Sequence, residues 1–149
     1  MFYFFDSSAL AKRFHTEPGS QLVDEIFSGR ENHVVTSRLA LVELTSVAAI
    51  RVRTGTMTVR QADDFLRTVA ANSDSRQFVS DGLLEVDYIR AQSLLTRHAR
   101  EHRLRTLDAL HLASAMRRRD HSGIDWFVSA DRALAAVATL EDFKTLIPA

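Results

Sequence analysis

The chain has 149 residues, of which 46% are hydrophobic and 26% charged, and this composition predicts one globular domain over residues 1–149. Its 19 basic and 19 acidic side chains balance, so net charge gives no argument about a nucleic-acid partner. The absence of cysteine excludes disulfides, thiolate metal sites and cysteine nucleophiles. We expect a cytoplasmic protein without a membrane segment, because no apolar stretch approaches roughly 20 residues and no basic region precedes the short apolar run at the start.

Four consecutive aromatic residues at positions 2–5 predict a buried strand, because the run is too short for a helix and too apolar for an exposed loop. The strand ends at Asp6, and Ser7 and Ser8 offer an N-cap for a helix that ends near His15. An acid at the carboxyl end of a central parallel strand points into the crevice where such sheets place their sites. Asp6 is therefore a candidate site residue, and a solvated acid in a strand-to-helix turn is an equally good interpretation.

The rest of the chain alternates strands with one or two helices. The predicted helices are Gln21–Ser28 capped by Ser20, Arg38–Arg53 capped by Ser37, one from Thr58 to the polar run at 72–75, one from Asp87 to about His102, one from Thr106 to about Arg119, and a short one after Asp131. The predicted strands are His33–Thr36, an irregular one over 78–79 and 83–86, Trp126–Val128 and Lys144–Ile147. This order predicts a parallel sheet covered on both faces by helices.

Glu43 is the only ionisable side chain between Arg38 and Arg51. No Lys or Arg lies on its face of the predicted helix, so an ion pair within the helix is not available. Because burying a lone charge is costly, Glu43 needs a distant partner, a metal or a cleft. Pairing with an arginine from another element is the structural alternative.

Asp108 and Asp131 each follow a hydroxyl residue by two positions, Thr106 and Ser129 respectively. A cap by that hydroxyl would place each acid in a first helical turn. Acids in a first turn complement the helix dipole and are common, so either one alone is more often structural than functional.

Taken as a set, the four acids Asp6, Glu43, Asp108 and Asp131 favour a functional interpretation. Asp6 and Asp131 directly follow apolar strands and would emerge at one edge of a parallel sheet, toward which the other two can project. Crowded carboxylates repel each other, and divalent cations resolve that repulsion. Ligation by carboxylates alone suits Mg²⁺ or Mn²⁺ rather than zinc, and such cations polarise phosphate oxygens. The set therefore predicts phosphoryl-transfer or phosphodiester chemistry.

Four segments in this order, FFDSSALAKRF, LALVELTS, LRTLDALHLASA and FVSADRAL, resemble the motifs of the PIN-domain ribonucleases, and most of all the VapC toxins of bacterial toxin–antitoxin pairs. The resemblance implies an α/β fold, a three-layer α/β/α sandwich with a mostly parallel central sheet. It also implies a Mg²⁺- or Mn²⁺-dependent endoribonuclease whose acidic quartet is the same four acids. We expect Asp6 and Asp108 to hold the principal cation, Glu43 and Asp131 to complete a site of one or two cations, and the motif-associated Ser7 and Ser129 to orient ligands or waters.

The resemblance further implies an RNA substrate, a cognate VapB-like antitoxin and a homodimer, for which the apolar helices between Arg38 and Val69 offer surface. Contact with RNA phosphates and a solvated helix face are equally good interpretations of the arginines Arg97, Arg100, Arg103, Arg105 and Arg117–Arg119. His111, three residues after Asp108, is better explained as a packed or hydrogen-bonding histidine than as a metal ligand.

Two other functions remain open. A haloacid-dehalogenase-like phosphatase also begins with an aspartate after the first strand, but that chemistry expects a second aspartate at the position of Ser8. A non-catalytic protein-binding module on the same fold would act through protein contacts alone. Intact acids at all four motif positions argue against the module.

Overall fold

The computed structural model describes residues 1–149, which form seven helices and five strands. The helices are Ser7–Phe14 (α1), Ser20–Ser28 (α2), Leu39–Arg53 (α3), Val59–Asp74 (α4), Glu85–His98 (α5), Thr106–Ser122 (α6) and Arg132–Leu140 (α7). The strands are Phe2–Phe5 (β1), His33–Ser37 (β2), Val79–Asp81 (β3), Trp126–Val128 (β4) and Thr145–Leu146 (β5). None of the helices combines the length and the apolar character that crossing a membrane requires.

The five strands form one sheet in the order β3-β2-β1-β4-β5, and every pairing is parallel. The chain builds the sheet outward from β1 in one direction, then returns to place β4 on the other side of β1. The point where the direction reverses therefore lies between β1 and β4, where open α/β sheets form their crevice. Asp6 follows β1 at this point, and its backbone N–H donates to Val128 O at 3.1 Å.

Alternating side chains of the central strands pack on opposite faces of the sheet, as expected for a period of two. One face carries Tyr3, Phe5, Val34 and Val128, packed with apolar residues of α1, α2, α3 and α4. The other face carries Phe4, Val35 and Phe127, packed with apolar residues of α5, α6 and α7. Helices thus cover both faces, which confirms the predicted three-layer α/β/α sandwich.

The predicted N-cap is confirmed only for α4, where the Thr58 hydroxyl accepts from the third helical residue. The caps of α2 and α6 lie one residue before the predicted Ser20 and Thr106.

The caps of α1 and α3 differ from the prediction for reasons that the structure shows. α1 is capped by Asp6 rather than by Ser7 or Ser8, since Asp6 Oδ1 accepts the backbone N–H of the third helical residue at 2.9 Å. Ser37, the predicted cap of α3, instead ends β2, and its hydroxyl is bonded to His111. The Ser37 hydroxyl thus has a partner that local sequence does not reveal, so its propensity for a cap is overridden.

Residues 83–86 do not form the predicted strand, because β3 is confined to Val79–Asp81 and α5 begins at Glu85. Asp87, the predicted cap of α5, lies in the first turn, where its Oδ2 accepts from Leu84 N at 2.9 Å. The same buried carboxylate pairs with Arg117 Nε of α6 at 2.9 Å. This ion pair between two helices fixes the start of α5 against the strand propensity of the segment. The ends of α5 and α6 differ from their predicted positions by about one turn.

Candidate active site

Asp6 is a buried carboxylate, 3% exposed, and every group that contacts it is neutral. Ser8 Oγ lies 2.8 and 2.9 Å from its two oxygens, Ser129 Oγ lies 2.7 Å from Oδ2, and Ala9 N donates to Oδ1 at 2.9 Å. No arginine or lysine pairs with it in the structure. An ionised Asp6 therefore has hydrogen bonds but no compensating charge in direct contact.

The two serine hydroxyls around Asp6 are held as donors. Ser8 Oγ accepts the backbone N–H of Ala130 at 2.9 Å, and Ser129 Oγ accepts that of Asp131 at 3.0 Å. Since each hydroxyl has one proton and its oxygen already accepts from the backbone, that proton is free to be donated to Asp6. The loop after β4 thus fixes the orientation of the Asp6 carboxylate.

Burial raises the pKa of Asp6 above the usual value for an aspartate. Hydrogen bonds from Ser129, Ala9 N and Ser8 act in the opposite direction, as does the nearby charge of His111, but they do not cancel the cost of burial. A cation placed against this carboxylate would remove that cost, because it supplies the charge that the protein itself does not.

Glu43 finds its distant partner in His111, not in an arginine. His111 Nε2 contacts Glu43 Oε1, while Nδ1 lies 3.0 Å from Ser37 Oγ. Ser37 and His111 are buried, whereas the Glu43 side chain is 25% exposed. The hydrogen-bonding interpretation of His111 is therefore confirmed, and Glu43 is held between α6 and the solvent.

Asp108 and Asp131 are held by two arginines from the segment that joins α5 to α6. Arg105 Nε lies 3.3 Å from Asp108 Oδ2, and its Nη2 lies 3.6 Å from Asp131 Oδ2. Arg103 Nη2 bonds both oxygens of Asp131, at 3.0 and 2.9 Å. The hydrogen bond and charge of Asp108, followed by the charges of Asp131 and Glu43, raise the pKa of the Arg105 guanidinium above its ordinary value. Arg105 thus interacts electrostatically with three of the four acids.

The two acids occupy different helical positions. Asp108 lies in the first turn of α6, as predicted. Asp131 is not in a first turn, because it is itself the N-cap of α7 and its Oδ1 accepts from Ala133 N at 2.8 Å. Ser129, the predicted cap, is used by Asp6 instead.

Glu43 and Asp108 line one cleft of about 310 Å³ together with Arg105, Thr106 and Leu107. Contacts connect three of the four acids, since Ser129 joins Asp6 to Asp131 and Arg105 joins Asp131 to Asp108, while Glu43 shares the cleft lining with Asp108. No three His, Asp or Glu side chains are arranged so that they could hold a metal ion. In this arrangement the Glu43 carboxylate is directed to His111, Arg105 pairs with Asp108, and Arg103 pairs with Asp131.

The donor chemistry of this region nevertheless fits a hard divalent cation. All four candidate ligands are carboxylates, which is the ligand type that Mg²⁺ and Mn²⁺ prefer. Asp6 lacks a counter-charge, while Asp108 and Asp131 are balanced by the guanidinium groups of Arg105 and Arg103, which are 65% and 63% exposed. Exposed guanidinium groups can leave with little packing lost, so the arginines do not obstruct the site.

Ser8, which was not among the expected site residues, contacts both oxygens of Asp6, whereas Ser7, expected to orient ligands or waters, makes no side-chain hydrogen bond to Asp6. A hydroxyl two residues after a strand-ending aspartate was the available signal for Ser8. Arg105 also had a signal, because it stands three residues before Asp108 at the start of α6. Ser37 had none, since its partner His111 is 74 residues away.

Most other arginines of the two predicted basic clusters are engaged within the protein. Arg97 pairs with Glu141 at 2.8 Å, and Arg117 pairs with Asp87. Arg119 donates to a backbone carbonyl at 2.7 Å and lies over the Phe143 ring. These contacts favour a structural role for the arginines remote from the cleft and leave Arg103 and Arg105 as the pair that faces it.

Three solved structures share the fold over nearly the full chain. The VapC20 toxin of Mycobacterium tuberculosis, described as cleaving the sarcin-ricin loop, has a TM-score of 0.65 and 21% identity over 90% of this chain and 93% of that one. The VapBC2 complex of Rickettsia felis, bound to a promoter DNA fragment, has a TM-score of 0.69 and 11% identity over 99% and 98%. A toxin–antitoxin complex from Klebsiella pneumoniae has a TM-score of 0.62 and 18% identity over 99% and 98%.

At these identities the structural likeness shows the fold alone. A search of curated proteins finds no match to the sequence. The family model described as "PIN domain" matches residues 3–140, which is most of the chain and includes most of β1, all of β4 and all four acids. The chain therefore belongs to the PIN-domain family.

Proposed function

We propose that this PIN domain is a divalent-cation-dependent endoribonuclease and the toxin of a VapBC-type toxin–antitoxin pair. The observation that carries the proposal is Asp6, a buried carboxylate without a counter-charge at the crevice of a parallel sheet, linked through Ser129 to Asp131 and through Arg105 to Asp108. Family membership supports it, as does a structural neighbour described as a toxin that cleaves the sarcin-ricin loop. An RNA substrate and a cytoplasmic location follow from this function.

In this proposal Asp6, Glu43, Asp108 and Asp131 hold one or two Mg²⁺ or Mn²⁺ ions. A cation bound there would supply Lewis-acid stabilisation of the charge that develops on the phosphate during hydrolysis. Ser129 and Ser8 hold the Asp6 oxygens in a fixed direction.

The same proposal gives Arg103 and Arg105 a second partner. Their guanidinium groups are exposed at the rim of the acidic region and already donate hydrogen bonds to carboxylates. Phosphate oxygens accept from guanidinium groups in the same geometry as carboxylates do. RNA bound along the cleft would therefore compete for these two arginines.

The phosphatase alternative is disfavoured by the position where it expects a second aspartate. Ser8 stands there, and its hydroxyl donates to Asp6 while its oxygen accepts from the backbone of Ala130. A serine held in this way cannot exchange protons as a carboxylic acid does at neutral pH. The binding-module alternative gives no reason for an uncompensated buried carboxylate, which lowers stability without aiding a protein contact.

We further propose a VapB-like antitoxin as partner and a homodimer as the assembled form. Structural neighbours from Rickettsia felis, Klebsiella pneumoniae and Haemophilus influenzae were solved as toxin–antitoxin complexes. The chain carries a groove of about 330 Å³ between α3 and α4, lined in part by Leu41, Leu66 and Val69. Val42 and Ile50 are exposed on α3, so this side offers apolar surface to an amphipathic partner segment.

The nuclease function is tested with purified protein and total RNA. We expect cleavage in the presence of Mg²⁺ or Mn²⁺, loss of cleavage with EDTA, and recovery on adding the cation. Asp6→Asn and Asp108→Asn should abolish cleavage and retain the circular dichroism spectrum of the parent, because both substitutions keep the size of the side chain. Full activity of either variant on RNA with Mg²⁺ would contradict the assignment, and release of phosphate from p-nitrophenyl phosphate would favour the phosphatase.

A further inference from the structure

His111 has the surroundings of a relay between the sheet and Glu43. Its ring is 2% exposed and is bonded at both nitrogens, to the buried Ser37 hydroxyl at the end of β2 and to the Glu43 carboxylate on α3. The imidazole itself stands on α6, three residues after Asp108 and on the same helical face. Three elements, β2, α3 and α6, are therefore joined through one side chain.

The partners of His111 determine where its protons lie. An ionised Glu43 is an acceptor only, so His111 Nε2 must carry the proton that the two groups share. In a neutral imidazole Nδ1 is then an acceptor, and the Ser37 hydroxyl donates to it. In a charged imidazole the Ser37 oxygen accepts from Nδ1 instead, so Nε2 is the donor to Glu43 in either charge state of the ring.

Glu43 depends on this single contact. No arginine or lysine pairs with it, and His111 is its one side-chain hydrogen-bond partner in the structure. Glu43 is also only partly buried, so packing alone does not fix its carboxylate. An unrestrained glutamate has three rotatable side-chain bonds, and ordering it for a ligand costs conformational entropy.

We propose that His111 is a positioning residue, which together with Ser37 holds the Glu43 carboxylate in the direction required for the cation and RNA chemistry of the cleft. The inference rests on the proposed nuclease function and adds to it two residues, Ser37 and His111, that are outside the acidic quartet. Groups that orient a ligating carboxylate or imidazole in this way alter metal affinity by about 10- to 100-fold when they are removed.

Two substitutions of His111 separate positioning from a general structural role. A Gln amide nitrogen reaches about as far as Nε2 and keeps a donor to Glu43, whereas an Asn amide nitrogen corresponds to Nδ1 and keeps only the contact with Ser37. We expect His111→Asn to weaken Mn²⁺ binding about tenfold or more in calorimetric titrations, and His111→Gln to stay within about threefold of the parent. RNA cleavage rates should follow the same order.

His98 supplies the matched control, because it is another buried histidine paired with a glutamate, Glu141, at 2.6 Å. His98→Asn and His98→Gln should change the thermal midpoint without changing Mn²⁺ affinity. The positioning role is overturned if both His111 variants bind Mn²⁺ as the parent does, or if both lose affinity equally while remaining folded. A parent protein that neither binds Mn²⁺ nor cleaves RNA would overturn the nuclease function, and this inference with it.

A measurement on the unmodified protein keeps the inference testable even if the variants do not fold. Long-range ¹H–¹⁵N spectra of histidine-labelled protein distinguish which ring nitrogen carries a proton. We expect His111 Nε2 to be protonated in the absence of any cation. A His111 ring with a bare Nε2 would overturn the relay whether or not the protein is a nuclease.

Discussion

The molecule contains two histidine–glutamate pairs of similar chemistry, and they differ in what surrounds the glutamate. His98 Nε2 and Arg97 Nη1 both contact one oxygen of Glu141, at 2.6 and 2.8 Å, and the Glu141 side chain is only 7% exposed. Glu43 has one partner, His111, and keeps a quarter of its side chain exposed.

The first pair closes a junction of helices. His98 ends α5, Glu141 follows α7, and the Glu141 carbonyl accepts from Arg119 of α6 at 2.7 Å. The second pair lines a cleft, so its carboxylate remains available to a ligand. The comparison shows that a buried histidine–glutamate contact does not indicate function by itself. What distinguishes Glu43 is that its carboxylate stays partly exposed to solvent and lies in a cleft with another acid, Asp108.

The largest expected difference between the two pairs is in catalysis. Glu43→Gln should lower the rate of RNA cleavage about 100-fold or more, because a neutral amide cannot balance a divalent cation. Glu141→Gln should cleave at the parental rate per folded molecule, since Glu141 lies outside the cleft. Initial rates on a labelled RNA with Mg²⁺ measure both. A Glu43→Gln variant as fast as the parent would remove the distinction.

Stability should respond in the opposite order. Glu141→Ala leaves the buried His98 without its partner and should lower the free energy of unfolding by about 1–3 kcal/mol. Glu43→Ala also leaves a buried histidine, His111, without its partner, but it should cost less, because the partly exposed Glu43 leaves a space that water can enter to bind His111 Nε2, and no second ion pair is lost. Urea denaturation followed by circular dichroism gives both values, and equal losses would show that the two pairs have the same structural weight.

The pH dependence of folding stability provides a further test of the cleft, through Asp6. Its pKa is raised by burial, so its contribution to stability is fully present below the pKa of an exposed aspartate and is lost as pH rises through the raised value. In EDTA at neutral pH, Asp6→Asn should therefore be at least as thermally stable as the parent. The difference in melting temperature between the two should shrink as the pH falls through the raised pKa of Asp6.

Added Mg²⁺ should raise the melting temperature of the parent and of His98→Gln but not that of Asp6→Asn, because only the last lacks the buried carboxylate that the cation would compensate. Thermal scans at several pH values test both statements. A neutral-pH destabilisation of Asp6→Asn in EDTA would show that hydrogen bonding outweighs burial at this carboxylate.

The smallest expected effect concerns the arginines beside the two glutamates, Arg105 in the cleft of Glu43 and Arg97 next to Glu141. Arg105→Gln removes an exposed ion pair, which changes stability by less than about 1 kcal/mol. The same change should strengthen Mn²⁺ binding about two- to fivefold, since a competing positive charge leaves Asp108 and Asp131. Arg97→Gln, the counterpart next to Glu141, should not alter Mn²⁺ affinity. Calorimetric titrations compare the two, and equal affinities would exclude competition by Arg105.

Sequence patterns predicted the architecture because they depend on local periodicity. The aromatic run at 2–5 and the segment Trp126–Val128 are the two apolar strands that flank the crevice, and both lie where they were expected. Residues 83–86 show the limit of this reasoning. Their strand-like composition is overridden by the pairing of Asp87 with Arg117, 30 residues further along.

The candidate site was predictable in its acids and not in their partners. Asp6 was identifiable because an acid at the carboxyl end of a central strand points into the crevice, and Glu43 because its helix offers it no counter-charge. The sequence did not show that Ser8 contacts Asp6, since only the path of the chain after β1 decides which serine faces this carboxylate, and the expected role of Ser7 in orienting ligands or waters stays a prediction.

The sequence by itself determined the alternation of strands and helices, the acids at the carboxyl ends of strands, and the resemblance to PIN domains. All three depend on the order of residue types along the chain. Only the tertiary structure decided that Ser129 donates to Asp6 across 123 residues, that His111 joins Ser37 to Glu43, and that Arg103 and Arg105 occupy the remaining acids. The physical reason is that a side-chain hydrogen bond needs its two partners within about 3 Å, and packing of the helices on the sheet sets that distance.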